Sequence, residues 1–173
     1  MAVPSLVLPG FSAALWMQSG ATPTPVAPTS LGVWSGQIAP IVGTAVGGTG
    51  ASGLQLNVEA VPAFGQDDAV ANFGVAGSRQ SDKIPTQSAP TSMTITAAWN
   101  PSDAALLLIR GDSVNGVTDR TFVVTASTSA TSTIAYAFNG RVSQFTIDSA
   151  PGAEAKCTFT IHPRGNQYGW SNP

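Results

Sequence analysis

Charge is what this chain has least of. Asp, Glu, Lys and Arg make up 9% of its 173 residues, against about 25% in an ordinary soluble domain. Seven cations and nine acids leave a formal net charge of −2 and an isoelectric point near 5.0, so there is no basic footprint for gripping nucleic acid. One cysteine, Cys157, rules out an intrachain disulfide framework, and one histidine, His162, leaves metal binding poorly provisioned. Although 43% of the residues are hydrophobic, no apolar run approaches the roughly 20 residues of a membrane-spanning helix. Residues Met1–Gly10 lack a basic stretch, and Pro4 and Pro9 interrupt their short apolar run. A secretory signal is therefore not expected.

What remains for the surface is Ser, Thr, Gln, Asn, Gly and Ala. Two readings fit: a β domain with a hydroxyl-rich, solvated exterior, or a domain whose exterior packs against copies of itself, since charge is depleted at interface cores. The length suits one domain over residues 1–173 with a proper core.

The most informative stretch is Thr91–Gly111. It starts as a strand, with Met93, Ile95, Ala97 and Trp99 alternating with Ser92, Thr94 and Thr96. At Asn100 the period becomes helical. Asn100 suits the cap, Pro101 the first turn and Asp103 a capping box, so a helix is expected over about 101–110, with Gly111 as its stop. Strands are expected at Ala13–Met17, Leu54–Val61, Arg120–Ser127, Thr133–Asp148 and Ala155–Ile161, and one short strand within Gly32–Ile38. The residues Ala21–Gly53 read as an irregular Pro/Gly-rich connection, Pro62–Pro90 as a long loop and Pro163–Pro173 as a terminal loop. Within Thr133–Asp148 the apolar parity flips near Asn139–Gly140, which fits either a bulge in one strand or a two-residue hairpin.

Four strands share a feature. Opposite their core faces lie Gln55, Asn57 and Glu59; Ser92, Thr94 and Thr96; Gln144, Thr146 and Asp148; and Lys156, Thr158 and Thr160. A sheet built from them has a wet face of short, mostly neutral side chains.

Motifs for chemistry fail on context. Gly48–Gly53 spells the dinucleotide fingerprint, but an alternating strand follows where the pyrophosphate needs a helix N-terminus. Gly111-Asp112-Ser113 resembles an esterase block with Ser113 as its nucleophile, but no histidine–acid pair stands beside it. Arg110-Gly111-Asp112 spells an adhesion tripeptide short enough for chance. Cys157 falls on an apolar strand face, as a small hydrophobe does. Neither Asp67-Asp68 nor Asp112/Asp119 has the spacing of a calcium loop. No catalytic residue, cofactor or metal site is assigned, and an enzyme is not expected.

In order along the chain, AVPSLVLPGFSAALWMQSG, LQLNVEAVPAFGQDDAVANFGVAGSRQSDKIP, MTITAAWNPSDAALLLIRGD and YAFNGRVSQFTIDSAPGAEAKCTFTIHPRG resemble segments of the major tail tube protein of long-tailed bacteriophages, of the lambda type. Only Ala21–Gly53 departs, being longer and richer in Pro and Gly. The resemblance implies a mainly β fold: two packed antiparallel sheets, a β-sandwich or half-barrel, flanked by one helix. It favours a continuous, kinked strand through Asn139–Gly140. It also implies homohexameric rings that stack into a tail tube and form the channel for genome delivery. Implied partners are a tape measure protein, a tail terminator, baseplate or tail-tip proteins and, in a contractile tail, a sheath. DNA would pass without specific binding, no membrane would be involved, and the protein would reside in the virion after assembly in the host cytoplasm.

On that resemblance, Asn57, Glu59, Thr94, Thr96, Thr146, Asp148, Thr158 and Thr160 are expected to line the lumen, with Lys156 neutralised by Asp148 or a neighbour. The arm over residues 1–15 and the loop over 62–90, through Phe11, Phe64, Asp67, Asp68 and Phe73, are expected to make ring-to-ring contacts. Alternatives are a tube protein of a contractile injection system or bacteriocin and, in another class, an isolated carbohydrate-binding β-sandwich, which would need exposed aromatic residues.

Overall fold

The computed structural model describes residues 12–20, 53–63, 65–74, 81–127, 133–149, 152 and 154–172, with the backbone alone at 12, 66–74, 81–88, 127, 133–134 and 165–172. The fold is mainly β with a single helix among the described residues. In chain order the elements are β1 (Ser12–Gln18), β2 (Gly53–Leu56), β3 (Gln66–Gly74), β4 (Ser81–Pro90), β5 (Met93–Ala98), α1 (Ala104–Asn115), β6 (Asp119–Ser127), β7 (Thr133–Asp148) and β8 (Lys156–Asn172). Six strands form one antiparallel sheet in the order β2-β1-β6-β7-β8-β5, and β3 and β4 pair separately.

The two edges of that sheet share one core. Leu56 of β2 and Met93, Ile95 and Ala97 of β5 join Leu15, Met17, Phe122, Val124, Phe138, Val142, Phe159 and Ile161 in one buried cluster, each large side chain contributing roughly 1.5–3 kcal/mol by burial. The sheet must therefore curl. After β2, Val58 N–H donates to Leu56 O at 3.0 Å, a tight turn at Asn57. Val58 then bridges Ala97, and Glu59 N–H donates to Thr96 O at 2.9 Å. One short segment thus bonds to β1 and then to β5, which brings the ends of the sheet together. The strand expected over Leu54–Val61 is broken by this turn.

The helix begins and ends later than its sequence suggests. Asn100 caps only a preceding turn, its side chain accepting from Ser102 N–H at 2.9 Å, while Asp103 is the N-cap and accepts from Ala105 N–H at 2.8 Å. Gly111 does not stop the helix. Gly116 does, with φ 65° and its N–H donating to Asp112 O at 2.8 Å. An interior glycine costs a helix only about 1 kcal/mol, and a buried ion pair lies beyond it. Asp112 and Arg120, each 5% exposed, pair in bidentate fashion, with Arg120 Nη2–Asp112 Oδ1 at 3.0 Å and Nε on Oδ2. Arg120 Nη1 also donates to Ser19 O at 2.8 Å and Gly20 O at 3.0 Å. One guanidinium thus ties α1, β6 and the end of β1 together.

Two stretches expected as loops are strands. The excursion over 62–90 contains the antiparallel hairpin β3–β4, closed at its base by Thr91 N–H to Gly65 O at 3.0 Å. Its register shifts between Ala69 and Val70, opposite Pro85, and a bulge is where a sheet accepts proline. The tail beyond Pro163 continues β8 to Asn172, paired with the first half of β7. Pro163 is tolerated because β5 pairs with β8 only as far as Ile161 and leaves that edge unpaired by β5 from there.

Strand β7 runs unbroken through Asn139–Gly140 in constant register with β6, so no hairpin forms there. Against β8 its register shifts between Ala137 and Asn139, beside the expected irregularity, and a second bulge lies further on, between Ser143 and Thr146, where Gln144 takes φ 56°. Its neighbour Phe145 is held by α1, donating its N–H to Ser113 Oγ at 3.2 Å. Gly140 answers to close packing instead: a Cβ there would stand 2.9 Å from Ile161 Cγ2 and 3.3 Å from His162 O.

Candidate functional site

The register of β7, β8 and β5 fixes which polar side chains share a face. Ser143, Thr160 and Thr94 form one cross-strand row; Thr146, Thr158 and Thr96 form the next; Asp148, Lys156 and Ala98 a third. Glu59, bonded to Lys156, lies on that side too. Of the eight residues expected to line a channel, Glu59, Thr94, Thr96, Thr146, Asp148, Thr158 and Thr160 sit on one sheet face, and Asn57 stands in the turn beside it. Seven of the eight are exposed or half-buried, and Thr160 is covered, with its hydroxyl donating to Gln144 Oε1 at 3.3 Å and lying 3.5 Å from Thr94 Oγ1. The αL backbone at the β7 bulge accompanies the turn of Gln144 toward Thr160.

The hydroxyl field continues through a row the sequence reading passed over. Beside Ser92, which directly precedes β5, His162, Arg141 and Asp119 follow one another across β8, β7 and β6. Both nitrogens of His162 meet serine hydroxyls, Nδ1 with Ser92 Oγ at 2.8 Å and Nε2 with Ser143 Oγ at 2.7 Å. Asp119 accepts from Arg141 Nε at 2.9 Å and from Arg164 Nη1 at 2.7 Å. Lys156 is neutralised as expected, though by Glu59 and not Asp148: the Glu59 carboxylate bonds its ammonium and holds its pKa above the usual lysine value, by hydrogen bond first and charge second. Every cation on this face among the described side chains thus has a carboxylate partner.

The residues weighed for chemistry have structural duties. Ser113 braces the bulge through Phe145 and makes no hydrogen bond to His162. Asp112 and Asp119, considered as a cation pair, are each committed to arginine. Asp112 is buried within α1, which removes Arg110-Gly111-Asp112 as an exposed tripeptide. Cys157 is buried and free, and burial raises its thiol pKa. None of the aromatic residues with described side chains is exposed; Trp99, Phe145 and Phe159 pack on one another, with centroids 5.7 and 6.3 Å apart. No aromatic platform for a sugar exists among them. Phe11 and Phe64 lie outside the described residues, and of Asp67, Asp68 and Phe73 the described part is the backbone of β3.

The fold defined by this curled sheet and its helix is one found in tail-type assemblies. A chain in the six-fold symmetrised cryo-EM structure of the anti-feeding prophage baseplate superposes with a TM-score of 0.61 at 9% identity, covering 98% of this chain and 97% of that one. The sheath/tube terminator of an extracellular contractile injection system gives 0.53 at 14% identity, covering 66% and 86%. The SPP1 tail tube gives 0.53 at 13% identity, covering 92% and 76%. At these identities the likeness is one of fold. No protein-family model and no curated protein sequence matches the chain.

Proposed function

We propose that this chain is a structural subunit of a tail-type tube. Its copies form six-membered rings that stack, and the face carrying Glu59, Thr94, Thr96, Thr146, Asp148, Thr158 and Thr160, with Asn57 beside it, lines the lumen. The observation that carries this reading is the neutral hydroxyl field with its cations ion-paired. DNA presents about one negative charge per 1.7 Å, so a wall of unpaired lysines and arginines would retain it, whereas threonines and paired cations let it slide. Ring-to-ring contacts fall to the 1–15 arm and the β3–β4 hairpin, with Phe11, Phe64, Asp67, Asp68 and Phe73 as contact residues. Tape measure, terminator and baseplate or tail-tip proteins are the implied partners, and the virion, assembled in the host cytoplasm, is the implied location.

A second reading within the same class is a tube protein of a contractile injection system. Near-complete mutual coverage with the anti-feeding prophage baseplate chain favours it as much as the SPP1 likeness favours a phage. Negative-stain electron microscopy of the purified protein tests the shared core of both: hollow tubes or six-fold rings support it, and a persistent monomer overturns it. A density map of such tubes with Thr96 and Thr158 pointing outward removes the lumen assignment alone.

A further inference from the structure

The polar face is electrically divided along β8. Near the β7–β8 turn Lys156 is bonded to Glu59, feels the charge of Glu154 and stands opposite Asp148 in the strand register. Asp148 and Glu154 are exposed, and neither forms an ion pair among the described residues. At the other end Arg141 and Arg164 share one acid, Asp119, beside His162. Counting Asp, Glu, Lys and Arg alone, the acidic end carries −2 and the basic end +1. Lys156 and Arg164 are eight residues apart on β8, about 26 Å at the strand rise, with Thr158, Thr160 and their uncharged cross-strand neighbours between.

We propose that these ends bind each other between copies: the Arg164 end of one subunit seats the Asp148/Glu154 end of the next. The occupant is a second copy of this chain, chosen by charge complementarity between two ends of one surface. Such a contact joins two different patches, so it is heterologous and propagates into a closed ring or an open stack. It does not pair a patch with itself. The Arg164 side chain is 58% exposed, and exposed ion pairs are worth about 0–1 kcal/mol. Its bond to Asp119 therefore presents little barrier to sharing with an incoming carboxylate. The inference rests on the tube reading, because it names one contact between copies of that assembly, beside those assigned to the arm and the β3–β4 hairpin.

The test uses the full chain, with light scattering and negative-stain microscopy at low and high salt. Arg164→Glu alone and the pair Asp148→Lys/Glu154→Lys alone are each expected to lose assembly while keeping the far-ultraviolet circular dichroism of the folded chain. Mixed one to one, the two variants are expected to co-assemble, because each reversed end then meets a reversed end and each native end a native one. Wild-type assembly is expected to weaken as salt rises. If wild type forms tubes and Arg164→Glu alone forms them equally well, or if the mixture stays dispersed, this contact is wrong and the tube reading stands. If wild type forms no tube at any salt, the tube reading and the contact fall together.

Discussion

Replacing Arg120 by Met removes the one guanidinium that joins α1, β6 and the end of β1. Asp112, 5% exposed, would then lose its charged partner in the interior. Breaking one side of a buried pair costs about 3–5 kcal/mol, most of it the uncompensated charge. The carbonyls of Ser19 and Gly20 also lose a donor, but both residues are exposed and water replaces it. Asp112→Leu strands the guanidinium and should cost a similar amount. The double variant removes both charges and should cost far less than the sum, giving a coupling of about 2–3 kcal/mol of the kind such cycles report. In a domain whose whole stability is about 5–15 kcal/mol, each single variant should lower Tm by roughly 6–20 °C at about 2–4 °C per kcal/mol. Urea unfolding followed by circular dichroism reads the midpoint, with an unchanged m-value guarding against a change of end state. Additive losses, or single variants within about 0.5 kcal/mol of wild type, would refute the assignment of Arg120 as a buried clamp; surface substitutions commonly fall in that range.

Three further substitutions and one reagent probe separate parts of the fold. Gly140→Ala is expected to destabilise by about 1–2 kcal/mol, because the new Cβ meets Ile161 at 2.9 Å and the His162 carbonyl at 3.3 Å; an unchanged urea midpoint would remove the close-approach argument. Gly111→Ala should stabilise by about 1 kcal/mol, since its Cβ meets nothing within 4 Å in an exposed helix interior. Gly116→Ala should destabilise by about 1–2 kcal/mol, because φ 65° strains any residue with a Cβ; equal effects at the two glycines would put the helix end in the wrong place. Cys157 should resist thiol reagents at neutral pH until the protein unfolds, as burial both shields the sulfur and raises its pKa. The sign follows: a thiol held neutral in the fold adds stability below its unfolded pKa, and that stability fades as pH climbs toward the folded value. Rapid labelling of the native protein at neutral pH would contradict the packing of β8 against β5.

Alternation made most of the sheet legible. Met93–Ala97, Phe122–Val124 and Cys157–Ile161 each put their apolar residues into the core as period two demands. The polar face followed from the same parity, because a residue opposite a core position has nowhere else to point. Where the reading failed, stabilisation came from pairing and not from local pattern. The strands of the β3–β4 hairpin bond to each other, and the end of β8 extends because the first half of β7 supplies its partner. The helix end was misplaced because Gly111 is the more conspicuous glycine, while Asn115-Gly116 supplies the left-handed cap. One signal of the longer helix lies in the sequence itself. Asp112 falls on the buried stripe of Ala105, Leu106 and Ile109, and a carboxylate on an apolar stripe requires a cation.

The same economy of charge has opposite consequences in the two places where ions do meet. Inside, the Asp112–Arg120 pair is shielded from salt and competitors, and its bond directions hold three elements in register. On the polar face, the pairs at Lys156–Glu59 and Arg164–Asp119 stand in water, with side chains 43–58% exposed on all but Asp119. There they contribute little to holding the fold. What they do is cancel: they leave a face that neither holds nor repels a polyanion strongly, while Asp148 and Glu154 at one end remain unpaired among the described residues. A wall made wholly of threonine would achieve the first property and lack any charge asymmetry along the strand. A wall rich in charge would have the asymmetry and grip whatever polyanion passed. On the proposed tube reading, the sparse placement of ionic groups on a hydroxyl field reconciles the two, and the low charge content, more than any single motif, is the sequence feature that carries that proposal.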